Sequence, residues 1–216
     1  MNIEQYNKYF KSNLENIVIS KLTVTDGNII VADPFTGIYN GIPSYTQKLP
    51  TGQYDVNACI ARKDDDVRIA AVEVIVSDKE PDSFSMALNG TESPEELAEL
   101  AEDEYFGFPV DAGLASIFDK TSLVSYMDFE NKWYEQNPDK NLYDDFFSEF
   151  FKKSYINSPN TQREGGDYID FVIPGTEYHI PMFASGFGDG YYPVFFGYSD
   201  DGEICRIVIL FIDLGN

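Results

Sequence analysis

Three aspartates stand where loops could present them. Asp111 lies in Val110-Asp111-Ala112-Gly113, Asp119 opens Asp119-Lys120-Thr121-Ser122, and Asp189 sits in Ser185-Gly186-Phe187-Gly188-Asp189-Gly190. Brought together, their carboxylates could hold a hard cation such as Mg²⁺ or Ca²⁺. Set close to one another, two carboxyl groups would also drive one pKa up and form an acid–base pair. That chemistry is metal-assisted hydrolysis or turnover of a small ligand. Asp111 and Asp189 are its candidate catalytic residues; Gly188, Asp189, Gly190, Asp111 and Gly113 are the candidate ligand-binding set; Asp111, Asp119 and Asp189 are the candidate metal set.

Each aspartate has a structural reading as well. Asp119 precedes a helical pattern and fits an N-cap, where its carboxylate would accept the free N–H groups of the first turn. Asp111 can tie down its own Ala-Gly turn. Asp189 can belong to a turn or bulge, because flanking glycines tolerate positive φ and close approach. Spacing leaves both readings open for Asp111 and Asp189.

Other chemistries are disfavoured. The Gly-rich run lacks the Lys and Ser/Thr of a phosphate loop, and Gly186, Gly188 and Gly190 do not have dinucleotide-binding spacing. An aromatic strand follows it, not a helix. Asp64-Asp65-Asp66 reads as a solvated hairpin turn, without the spaced ligands and sharp glycine turn of a calcium loop. The chain has one histidine, His179, and two cysteines. Cys59 and Cys205 sit in apolar strand-like runs and read as reduced core residues of a cytoplasmic protein. His179 reads as an ordinary partly buried histidine. No G-x-S-x-G, H-E-x-x-H or kinase signature appears, and no cofactor is expected.

The elements that must position these residues follow from periodicity. Ile3, Tyr6, Tyr9 and Phe10 predict a short amphipathic N-terminal helix. Residues 17–24 and 27–35 predict two strands around an Asp26-Gly27 turn, a hairpin signal; residues 33–54 are a Pro/Gly-rich surface excursion. Residues 55–62 and 67–78 predict a hairpin across Lys63–Asp66, its second strand central and covered on both faces. Ser93, Pro94 and Glu96 form a capping-box start. The helix they begin should bury Leu97, Leu100 and Ala101 and end by Gly107 and Pro109. A helical insertion is expected over about 119–156, with Leu123, Tyr126, Met127 and Trp133 on one face and Leu142, Phe146, Phe147, Phe150 and Phe151 inside. The end of the chain is strand-like, with a hairpin at Ser199–Gly202 and a central last strand.

These patterns predict a single domain over 1–216: a β-rich α+β fold, mostly an antiparallel two-layer sheet or sandwich with helices on one side or end. The formal net charge of −22 repels nucleic acid and anionic membranes and favours basic partners or cations. No signal peptide and no apolar run of membrane-spanning length is apparent.

Several segments together resemble a mainly bacterial family catalogued as domain of unknown function 4241. They include Val31-Ala32-Asp33-Pro34-Phe35, residues 49–54, 67–76, 107–119, 185–198 and 204–213, with Gly188-Asp189-Gly190 and Val110–Gly113 as signatures. Tyr54-Asp55-Val56 stands where Tyr-Pro-Val is expected. The resemblance implies one β-rich domain and no particular activity. The leading functional expectation is a non-enzymatic interaction protein that neutralises a basic partner, as an immunity protein does with a nuclease toxin. The alternatives are the metal-assisted or small-ligand enzyme above, or a binding module whose exposed groove gathers Trp133, Tyr191 and Tyr192.

Overall fold

The computed structural model describes residues 1–101 and 104–215. Helix α1 (Ile3–Phe10) is followed by strands β1 (Glu15–Val24), β2 (Ile29–Ala32), β3 (Gly52–Lys63), β4 (Asp66–Ile75) and β5 (Ser83–Met86). Then come α2 (Pro94–Glu99), β6 (Gly107–Val110), β7 (Leu114–Asp119) and α3 (Lys120–Gln136). A π-helical segment, Tyr143–Phe147, leads into α4 (Ser148–Asn157). Strands β8 (Tyr168–Val172), β9 (His179–Ala184), β10 (Gly190–Tyr198) and β11 (Ile204–Leu210) complete the chain.

Alternation along the strands builds two sheets and fixes what each face meets. The major sheet runs β1-β3-β4-β11-β10-β5, with β6 also paired to β10; the minor sheet runs β2-β7-β9-β8. Every strand pair is antiparallel. Val56, Ala58, Val72, Val74, Ile207 and Ile209 of the major sheet share a core with Ile29, Val31, Ala115 and Ile117 of the minor sheet. The alternate residues Ile30, Ala32, Leu114 and Phe118 face the other way, onto α3 and the aromatic segment 142–151. The sandwich expected from sequence is therefore present. Its helices cover both outer surfaces, not one: α3 and α4 lie over the minor sheet, and α1 packs Tyr9 on Cys59, Ala70 and Ala71 of the major sheet.

α1 begins where its residues dictate. Asn2 accepts the Gln5 N–H, and the Gln5 side chain accepts the Asn2 N–H in return, satisfying two of the donors left over at a helix start. Its buried face carries Tyr6, whose hydroxyl donates to Glu73 Oε2 at 2.9 Å and accepts from Arg206 Nε at 3.3 Å. Glu73 and Arg206 are themselves buried, 3.4 Å apart. Burial pushes the Glu73 carboxyl upward, while Tyr6 and Arg206 oppose that shift. Arg206 also donates to the carbonyls of Ser77, Lys79 and Cys205. An ion pair out of water persists only when its donors and acceptors are used up in this way.

Two local expectations are corrected. The Asp26-Gly27 turn does not close a hairpin: β1 pairs with β3 in one sheet and β2 with β7 in the other. The turn instead carries the chain between layers. Gly27, at φ +80, presses so closely on the Leu49 carbonyl that an added Cβ would lie 2.5 Å from its oxygen. The helix at 94 is real and carries its capping box, but it ends at Glu99, with Leu100 as its C-cap. Its expected run toward Gly107 crosses residues 102–103, which lie outside the described residues. Leu97 is exposed, as is Ala101, so this short helix does not bury the expected stripe. In the insertion, Phe150 is also partly exposed, while Phe147 and Phe151 are fully buried.

Candidate functional site

Strand pairing decides where the three aspartates go. The last pair between β6 and β10 is Val110 with Gly190, so Asp111 and Asp189 occupy the next positions, at one end of the sandwich. Both are exposed. Their loops touch: the Ser185 N–H donates to the Gly113 carbonyl at 3.1 Å, and a Cβ on Gly113 would meet Gly188 Cα at 3.7 Å. Gly113 and Gly188 adopt φ of +68 and +112, the left-handed region that glycine enters without strain. The candidate ligand-binding set is thus one loop cluster.

Asp119 is elsewhere and fully buried. It caps α3, accepting the Thr121 N–H at 3.1 Å. The same carboxylate accepts the Thr25 hydroxyl at 2.9 Å and the N–H groups of Thr25, Asp26 and Gly27 at 3.0–3.2 Å. Five donors occupy its lone pairs, leaving none for a cation. Among the described residues no group of three His, Cys, Asp or Glu side chains is placed to hold a metal ion. Asp111, Asp119 and Asp189 therefore do not form one centre.

A fourth aspartate, which sequence reasoning passed over, positions the loops. Asp33 is fully buried at the end of β2. Its Oδ1 accepts the N–H groups of Phe35 and Thr36, and its Oδ2 those of Asp111 at 3.0 Å and Ala112 at 2.6 Å. The first pair is an Asx turn, legible in the Asp33-Pro34-Phe35-Thr36 run. The second joins residues far apart in sequence and leaves no local trace. Asp111 is thus held by its backbone while its carboxylate points to solvent.

The Gly-rich loop is equally fixed. The Ser185 hydroxyl donates to the Gly188 carbonyl at 2.7 Å, and the Tyr192 hydroxyl contacts the Ser185 and Gly188 carbonyls at 2.9 and 2.7 Å. Arg68 Nη1 donates to the Gly186 carbonyl at 3.1 Å, while its Nε is held by the Asp66 carboxylate. The guanidinium lies 5.3 Å from the Phe187 ring centre. Phe187 nonetheless remains 70% exposed. With Asp64 and Asp65 of the β3–β4 turn and Asp66 at the start of β4 it lines an open depression of about 640 Å³. The depression also holds Lys63, and Arg62, which pairs with Glu15.

The remaining candidates separate. Tyr191 is exposed and stacks on Tyr105, with ring centres 6.2 Å apart; Tyr192 is buried, and Trp133, on α3, packs near Phe146 in the helical layer. The expected Trp133–Tyr191–Tyr192 face is not formed. His179 Nδ1 lies 2.8 Å from Asp170 Oδ1, which also accepts the Ser20 hydroxyl. Ser20 bonds the carboxylate and not the imidazole, unlike a nucleophile–base pair. Burial pushes the Cys59 thiol up to about 12, so it is not a thiolate near neutrality. No helix among the described residues is long and apolar enough to cross a membrane.

No curated protein and no solved structure matches the chain. A family model does, over residues 22–209, from within β1 into β11. That span takes in Asp33, Asp111, Asp119 and the whole Gly-rich loop, and the chain belongs to the family described as "Protein of unknown function (DUF4241)".

Proposed function

We propose that this chain is a non-enzymatic protein-interaction module. It docks a basic protein through the end of the sandwich that carries Phe187, and so neutralises that partner in the manner of an acidic inhibitor in the cytoplasm. The observation that carries the reading is the contrast at Phe187. Its loop is held by hydrogen bonds that the Ser185 hydroxyl, Tyr192 and Arg68 donate to its carbonyls and by the Ser185 N–H, which donates to the Gly113 carbonyl, yet the ring itself is 70% exposed. An aromatic anchor on a rigid support loses little entropy when it is covered, which is how interface hot spots are built. Asp64, Asp65, Asp66, Asp111 and Asp189 border the same end, and the net charge of −22 extends the field beyond them. Complementary charge speeds encounter and selects the partner, while the aromatic anchor sets the lifetime of the complex.

Affinity capture from the native cells, at low and high salt, tests this. The tagged protein should recover a strongly basic partner at low salt and lose much of it at high salt. Phe187→Ala should weaken the purified complex about tenfold. The double substitution Asp111→Lys with Asp189→Lys should slow association more than it speeds dissociation. Recovery of no basic protein, or undiminished binding by Phe187→Ala, would defeat the proposal.

A further inference from the structure

A second, independent feature lies on the outer surface of the major sheet. α1 covers only part of that surface. Beside it, Met86 of β5, Phe195 of β10 and Leu210 of β11 floor a cavity of about 710 Å³, walled by Tyr9 and Tyr105. Small-molecule sites are commonly concave, largely apolar at the base and about 300–1,000 Å³ in size. The rim is charged. Glu104 and Asp213 line it, each with one carboxylate oxygen taken by a nearby backbone N–H: Glu104 Oε2 accepts from Ala101 and Asp213 Oδ1 from Gly215. Two ammonium groups also line it: Lys8, which donates to the Gly215 carbonyl at 3.1 Å, and the Met1 α-ammonium, whose pKa burial lowers.

The cavity does not stop at Tyr105. A shallower depression shares Tyr105 and Glu104 and continues over Tyr191 to Glu96 and Glu99. Tyr105 and Tyr191 stack within 9° of parallel, and the Tyr105 hydroxyl donates to the Tyr191 carbonyl at 3.0 Å. The pair forms a fixed aromatic step between an apolar hollow and an acidic shelf. Aromatic faces attract cations through the ring quadrupole, and carboxylates beyond them add a favourable potential.

We propose that this composite cavity binds an amphiphilic organic cation. The apolar or aromatic body lies on Met86, Phe195 and Leu210, and an ammonium or guanidinium head crosses Tyr105 toward Glu104 and the shelf. Charge complementarity selects the class: four carboxylates, of Glu96, Glu99, Glu104 and Asp213, flank the path against two ammonium groups, of Met1 and Lys8, and the Lys8 ammonium already donates to a backbone carbonyl.

Three probes with the same phenylbutyl body separate the contributions: phenylbutylamine, phenylbutanol and 5-phenylvalerate. Each is titrated into the full chain, and binding is read by calorimetry and by the methyl resonances of Met86 and Leu210. The amine should saturate and shift both methyls, the alcohol should bind about tenfold more weakly, and the carboxylate should not saturate. Glu104→Gln and Tyr105→Ala, both surface changes, should weaken the amine by about fivefold and about threefold. Equal binding of amine and alcohol, or tighter binding of the carboxylate, would overturn the cation assignment. Absence of any saturable shift at Met86 and Leu210 would overturn the site itself. Neither result bears on Phe187, so failure here and failure of the protein-docking proposal are distinguishable.

Discussion

Buried carboxylates in this protein hold loops together, and each is an identifiable liability when altered. Asp33 accepts four backbone N–H groups from two loops. Asp33→Ala strands all four, and a buried donor without a partner costs about 1–3 kcal/mol. The variant should lose roughly 3 kcal/mol or more in urea denaturation, against a smaller loss for Asp33→Asn, which keeps one acceptor. Equal stability of Asp33→Ala and wild type would show that the loops find other partners. Glu130 behaves oppositely. It is partly buried on α3, and burial pushes its carboxyl up to about 7 from an ordinary 4.5. The folded state then holds a proton that the unfolded state releases, so stability falls as pH rises from about 4.5 to about 7 and stays lowered above. Glu130→Gln should therefore be more stable than wild type by roughly 1–3 kcal/mol above pH ~7, with the gain vanishing below pH ~4.5. A pH-independent difference would argue for a packing effect.

At the scale of elements, the outcome depended on whether a signal was local. α1 was legible because Tyr6 and Tyr9 sit at helical spacing and Asn2 with Gln5 supplies the cap. β4 and β11 were legible as central strands because both their faces are apolar, and each is flanked by two neighbours. The Asp119 N-cap was legible for the same local reason. The Asp26-Gly27 turn misled because a dipeptide reports backbone conformation, not which strands pair. Leu97 misled because apolar periodicity states what could be buried, not what is present to cover it. Asp33 was half legible: its Asx turn is local, and its grip on Asp111 and Ala112 is not. The Asp111–Asp189 juxtaposition depended on β6 pairing with β10, a register that no short motif encodes. α1 offers a test at this scale. Tyr6→Phe removes the hydroxyl that joins Glu73 and Arg206 and should cost about 1–3 kcal/mol, read as a lower denaturation midpoint. A neutral result would mean that Asn57, whose side chain lies 3.4 Å from Glu73 Oε1, or water replaces the lost bond.

For the whole molecule, the charge of −22 has two consequences of opposite sign. Like charges repel across the folded surface, and salt screens them as the Debye length falls from about 30 Å at ~0.01 M to about 8 Å at ~0.15 M. The thermal midpoint should rise over that interval, while affinity for a basic partner should fall. A midpoint that falls with added salt would indicate that surface ion pairs, such as Lys79 with Asp201 and Glu203, outweigh the repulsion.

The anchoring of loops by Asp33 and Asp119 also sets a timetable for solvent isotope uptake. Amides in connecting segments ordinarily exchange with deuterium quickly, because local opening is easy. Here the amides of Gly27, Asp111 and Ala112 donate to buried carboxylates and should exchange as slowly as those of neighbouring strands. In Asp33→Ala the peptides around 35–36 and 111–112 should accelerate together, although some 75 residues of chain lie between them. The two loops would then behave as one cooperative unit whose opening exposes the whole Asp111 end of the sandwich at once.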